Sequence, residues 1–108
     1  MKTYQLAIAL FFVLIGFATV LAQTPASDAS LTTNPIYQKN CAKCHGKTAE
    51  GRTFAGPSLI SSKAAAIGAE DLRNIIANGK ARMPKFASKL TPEEIEVLVR
   101  QVQALNAK

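Results

Sequence analysis

The chain has 108 residues, carries a formal charge of +6 at pH 7, and is 48% hydrophobic and 19% charged. That length suits one small domain and not two. The basic residues are not gathered into one run, so the charge points to acidic protein surfaces or anionic membranes and not to nucleic acid.

The first element is an apolar run from Leu6 to Ala22, preceded by a lone Lys2. Val20 and Ala22 place small residues before a cut ahead of Gln23. This is the layout of a cleaved signal peptide over 1–22, with an uncleaved anchor as the alternative. Either way Lys2 stays inside and the rest of the chain is exported, to the periplasm or an equivalent compartment. Residues 23–33, QTPASDASLTT, are polar and non-periodic and read as a flexible lead-in. From Asn34 the pattern is helical: Asn34 suits a cap, Pro35 a first turn, and Tyr37, Cys41 and Cys44 share a face. Residues 46–62 read as a loop punctuated by Gly46, Gly51, Gly56 and Pro57. A short helix follows from about Glu70 to Asn78, striped by Leu72, Ile75 and Ile76 and stopped by Gly79. After a second loop, GKARMPKFASK, comes the clearest element. Thr91 caps it, Pro92 opens it, Glu94 completes a capping box, and Leu90 with Ile95 form a hydrophobic staple. Ile95, Leu98, Val99, Val102 and Leu105 recur at helical spacing. No segment alternates with period two, so the expected fold is all-α.

The two cysteines, Cys41 and Cys44, and the one histidine, His45, all fall in CAKCH. A disulfide there would close almost no chain and would be a poor staple. The spacing C-x-x-C-H is the haem c attachment signature. Two thiols on one turn can add to the two vinyl groups of one haem, and the adjoining imidazole can reach the iron from the same side. A thioredoxin-like redox pair needs a βαβ context that the chain lacks. A structural zinc site needs a fourth ligand that would have to be a carboxylate. Beyond the apolar run, Met83 is the sole methionine, set in the loop between Arg82 and Pro84. Filling core space is one role for it. Ligating haem iron is the other: His/Met ligation raises the potential and fills both axial positions.

From Asn34 to Leu105 the chain resembles the class I cytochromes c, of the short monohaem type of bacteria and photosynthetic organisms. It is also similar to the cytochrome c modules of terminal oxidases and haem-containing dehydrogenases. The residues that carry the resemblance are Tyr37 with CAKCHG, GPSL at 56–59, MPKF at 83–86 and LTPEEIEVLV at 90–99. The resemblance implies a cytochrome c domain over 34–108, with three to four helices wrapped around one covalent haem c. It implies attachment through Cys41 and Cys44 and axial ligation by His45 and Met83. It also implies a hydrogen bond from the other ring nitrogen of His45 to the Pro57 carbonyl, and a close crossing of the first and last helices. Two positions depart from the pattern: Thr33 stands where a small residue, usually glycine, eases that crossing, and Gln101 where an aromatic is usual. A looser crossing is therefore expected.

Lys43, Lys47, Lys80, Arg82, Lys85 and Lys89 cluster near the motifs. They form either an ordinary solvated surface or a ring that docks acidic partners. Arg52 suits a haem propionate. The expected function is that of an exported single-electron carrier, not an enzyme, monomeric, with redox proteins as partners. Two alternatives stand beside it. A five-coordinate haem sensor or peroxidase-like enzyme would leave Met83 unbound, but the chain has no second histidine to serve as a distal acid–base group. A membrane-anchored cytochrome subunit of a larger redox complex would retain the N-terminal helix.

Overall fold

The computed structural model describes residues 30–107; the expected signal segment 1–22 and residues 23–29 of the lead-in lie outside the described residues. Within them the chain forms a 3-10 turn, Leu31–Thr33, and five α-helices: α1 Pro35–Asn40, α2 Ala42–His45, α3 Ser62–Ala65, α4 Ala69–Asn78 and α5 Pro92–Asn106. The described residues contain no strand, only two isolated bridges, Arg52 with Gly56 and Lys80 with Met83.

The expected all-α fold is present, with more pieces than the three to four helices read from the sequence. The extra pieces arise at two places. The first helix is split at Cys41, whose φ of −114° tilts the peptide plane and starts a new turn. Ser61 then caps a single turn, accepting from the Ala64 N–H at 3.1 Å, in a stretch too short to show a helical period. The end of the lead-in also differs from expectation. Leu31 is buried, and the turn it begins packs against α5. One apolar side chain in a polar segment is enough to seat a turn, and composition alone hides it.

Each helix starts where its cap allows. Asn34 Oδ1 accepts the Ile36 N–H at 2.9 Å, and Pro35 follows at a position that needs no donor. Thr91 Oγ1 accepts from the Glu94 N–H at 3.1 Å while Glu94 Oε1 accepts from the Thr91 N–H at 3.0 Å, the expected capping box. Helix α4 stops at Gly79, whose φ of +76° suits glycine and whose N–H returns to the Ile75 carbonyl at 2.8 Å.

The core joins Leu31, Tyr37, Leu72, Ile76, Phe86, Leu90 and the inner face of α5, namely Ile95, Leu98, Val99 and Val102. Burying such side chains supplies about 1.5–3 kcal/mol each relative to exposure. After the Met83 loop the chain doubles back on α4: the Phe86 and Ala87 N–H groups donate to the Ile76 and Ala77 carbonyls, both at 3.1 Å. Arg73 of α4 grips Glu96 of α5 through two parallel bonds of 2.7 and 3.0 Å. Asn106 Nδ2 donates to the Leu59 carbonyl at 2.7 Å, fastening the end of α5 to the loop.

The first segment meets α5 through a buried polar pair. Asn34 Nδ2 donates to Gln101 Oε1 at 2.8 Å, and both residues are buried. The departure at position 101 is met by a polar partner at position 34, joined to it by a buried hydrogen bond.

Candidate haem site

CAKCH occupies one bent turn. The Cys41 N–H donates to the Tyr37 carbonyl at 2.8 Å, and the Cys41 carbonyl accepts from both Cys44 (3.1 Å) and His45 (2.9 Å). This places two thiols and an imidazole close together on one short segment, all half-buried. Ala42 faces the core and Lys43 faces water. Tyr37 braces the turn from below: its hydroxyl donates to the Gly46 carbonyl at 2.6 Å, and the residue is 1% exposed. Burial first, then the nearby Cys41 and Glu50, push the Tyr37 hydroxyl up to about 12.

Cys41 and Cys44 are not joined to each other. Burial, followed by the neighbouring Cys44, pushes the Cys41 thiol up to about 11, with Lys43 acting in the opposite direction. A redox-active or zinc-binding cysteine needs the opposite, a thiolate favoured by its surroundings. Among the described residues no three His, Cys, Asp or Glu side chains are grouped to hold a metal ion. Donors adjoining in sequence but not converging on a point fit a broad flat group better than a single bare ion.

The GPSL segment locks the histidine. A Cβ at Gly56 would come within 2.9 Å of the Cys44 carbonyl oxygen, so only glycine lets the loop lie against the cysteine turn. The next residue then presents its carbonyl to the ring: His45 Nδ1–H donates to Pro57 O at 2.8 Å. This contact selects the tautomer that leaves the Nε2 lone pair free to bind a metal. Arg52 reaches the same turn from the loop, with Nη1 donating to the Lys43 carbonyl at 2.9 Å.

Met83 is placed by Gly79. A Cβ there would sit 2.5 Å from the Met83 carbonyl oxygen, so the turn from 79 to 83 closes only around glycine. The Met83 N–H donates to the Lys80 carbonyl at 2.9 Å. Met83, Cys41, Leu59 and Ile67 all touch the core and all remain partly uncovered. Half-covered apolar side chains that include the two sequence-distant residues Cys41 and Met83 suit a large apolar cofactor. Lys43, Lys47, Lys80, Arg82, Lys85 and Lys89 are all exposed; Lys89 lies 5.6 Å from the centroid of the Phe86 ring.

Three contributors were not legible in the sequence: the Tyr37 hydroxyl bond to Gly46, the Arg52 bond to Lys43, and the packing of Gly56 on Cys44. Only the last had a local signal, a glycine immediately before proline.

Residues 31–100 match the family model described as "Cytochrome C oxidase, cbb3-type, subunit III". The chain belongs to the class I c-type cytochromes. It is 33% identical over 100 residues to cytochrome c6 of Rippkaea orientalis, covering 88% of this chain and 87% of that one. The KustC0563 c-type cytochrome superimposes with a TM-score of 0.60 and 26% identity, over 67% of this chain and 94% of its own. Cytochrome c6C from Synechococcus sp. PCC 7002 gives 0.56 and 26%, over 66% and 89%. As a c-type cytochrome the chain carries covalent haem and serves electron transport.

Proposed function

We propose that this cytochrome is an exported monohaem carrier of single electrons. In this reading Cys41 and Cys44 would hold one haem through two thioethers, and His45 Nε2 and Met83 Sδ would be the ligands of its iron. Haem supplies a one-electron iron couple when bound. The chain supplies the rest: two thioethers that prevent loss of the cofactor outside the cell, a histidine held by Pro57, and a thioether that favours the reduced state. The observation that carries the reading is the 2.8 Å bond from His45 Nδ1 to Pro57 O, which leaves Nε2 as the ligating atom. With His45 and Met83 both bound to the iron, no open position would remain for a substrate, which suits a carrier and not an enzyme. Arg52, with one guanidinium N–H on the Lys43 carbonyl, keeps its remaining donors for a propionate.

Export rests on the N-terminal apolar run with its small-residue exit, and the mature chain is expected to begin at Gln23. A second reading, a cytochrome subunit of a larger redox complex, is favoured by two observations. One is the oxidase-subunit description of the matching family. The other is 30% identity over 71 residues to a much longer protein, the menaquinol:cytochrome c reductase cytochrome c subunit of Bacillus subtilis.

The test combines an intact mass with an absorption spectrum of the purified protein. The mass of the Gln23–Lys108 chain plus one haem, with a ferric far-red sulfur-to-iron charge-transfer band, is the expected result. Haem extractable by acid and organic solvent would refute covalent attachment. An intact N-terminus in the membrane fraction would favour the subunit reading.

A further inference from the structure

Phe54 is 95% exposed, the most uncovered large apolar side chain among the described residues. It stands at the tip of a turn whose base is closed twice: the Arg52 N–H donates to the Gly56 carbonyl at 2.9 Å, and the Gly56 N–H returns to the Arg52 carbonyl at 3.2 Å. Its φ is +62°, in the left-handed region where glycine or asparagine is the ordinary choice and a bulky side chain is strained. The fold gains nothing from the ring, which packs on no core residue, and bears a backbone cost to hold it there. A strained outlier with no structural return points to a role outside the fold.

The turn is also fixed to the haem site. Arg52 Nη1 holds the Lys43 carbonyl, Gly56 lies on Cys44, and Pro57 holds His45. Phe54 therefore projects from a turn whose base is bonded to the cysteine segment. Arg52, at the base of this turn, also lines an open cleft of about 480 Å³, together with Gln38, Lys43, Lys47 and Glu50. Three cations face one carboxylate, and that carboxylate is held well down by a hydrogen bond from the Thr48 hydroxyl. The cleft is net positive, and it shares Arg52 with the turn that carries the apolar ring.

We propose that Phe54 is the apolar anchor of a docking surface for an acidic redox partner protein, with Lys43 and Lys47 as its charged rim. The inference rests on the electron-carrier reading. An aromatic ring inserted into a partner pocket within a ring of charge is the usual make-up of an interface hot spot. A protein occupant is favoured over an anionic lipid surface by position. The turn is built onto the segment that bears the haem, so a partner seated on it lies at the cofactor, whereas a bilayer there would cover the route by which electrons leave.

The test uses the haem-loaded protein and the acidic flavoprotein flavodoxin. One electron leaves the flavin hydroquinone, giving the semiquinone, and reduces the ferric cytochrome. Phe54→Ala is expected to raise the apparent dissociation constant of the encounter about fivefold or more, and Phe54→Leu to restore part of it. Phe54→Gly is expected to weaken docking equally while raising the thermal midpoint, because glycine relieves the left-handed strain; a purely structural role would lower it. Reduction of each ferric variant by hexacyanoferrate(II), and the reverse oxidation, should be unchanged, since a small anion needs no apolar seat. A dissociation constant for Phe54→Ala within twofold of wild type overturns the proposal. So does Phe54-dependent sedimentation with phosphatidylglycerol vesicles alongside an unaltered flavodoxin reaction. A wild-type protein that reacts with the small anion but shows no Phe54 effect loses the docking assignment alone. One that reacts with neither loses the carrier reading and the docking assignment with it.

Discussion

Single side chains do most of the work at the haem site, and their contributions can be separated. Met83 is the sole thioether that follows the N-terminal apolar run. In the reading proposed above, Met83→Ala should abolish the far-red charge-transfer band, lower the reduction potential and let carbon monoxide bind the ferrous protein. A band that survives the substitution would take Met83 off the iron. Tyr37 offers a different test. Its hydroxyl is bonded to Gly46 and pushed up to about 12 from its ordinary value of 10.0. Up to pH 10 both folded and unfolded chains keep the proton and the contribution to stability is constant. Between pH 10 and 12 the unfolded phenol ionises while the buried one does not, so stability falls as pH rises. Denaturant titrations across that window should show the fall in the wild type and its absence in Tyr37→Phe, which should also lose about 1 kcal/mol at neutral pH.

At the scale of the elements, the helices are set by their caps and joined by a few polar contacts. Thr91→Ala removes half of the capping box of α5 and should cost about 1 kcal/mol by urea unfolding. Asn34 has two duties, capping α1 and donating to Gln101 across the crossing. Asn34→Ala should therefore cost more than an ordinary cap, about 2 kcal/mol. A double-mutant cycle with Gln101→Ala should return a coupling of about 1 kcal/mol; additivity would mean that the bond does not hold the crossing. The Arg73–Glu96 pair is exposed, and its hydrogen bonds hold the Glu96 carboxyl below its ordinary range. What stability the pair gives is present above the usual carboxylate range and fades as acid protonates Glu96.

For the whole molecule, the cofactor and the domain are expected to depend on each other. Several core-contacting side chains, Cys41, Leu59, Ile67 and Met83 among them, remain partly uncovered by protein. A small domain with such gaps leans on a staple. Cys41→Ala combined with Cys44→Ala should yield a chain that retains no haem through a denaturing gel and melts without a cooperative transition by circular dichroism. A sharp melt in that variant would show that the protein core suffices alone. The net positive charge should also appear in kinetics, as reaction rates with acidic redox proteins that fall with rising ionic strength.

The local features were legible in the sequence because neighbours along the chain encode them. The CAKCH spacing, the caps at Asn34 and Thr91, the stop at Gly79 and the stripe on α5 each depend on residues a few positions apart. The all-α fold and the family followed from these. Tertiary structure decided what depends on the chain meeting itself. His45 finds Pro57 across a separation of 12 residues, and Asn34 finds Gln101 across 67. Taken singly, Gln101 is a missing aromatic; only the folded chain shows it bonded to Asn34. Leu31 and Phe54 are the sharpest cases. One is an apolar residue in a polar segment and is buried, the other an aromatic in a loop and is exposed. Composition cannot tell them apart, because burial is a property of which surfaces the rest of the chain brings to each side chain.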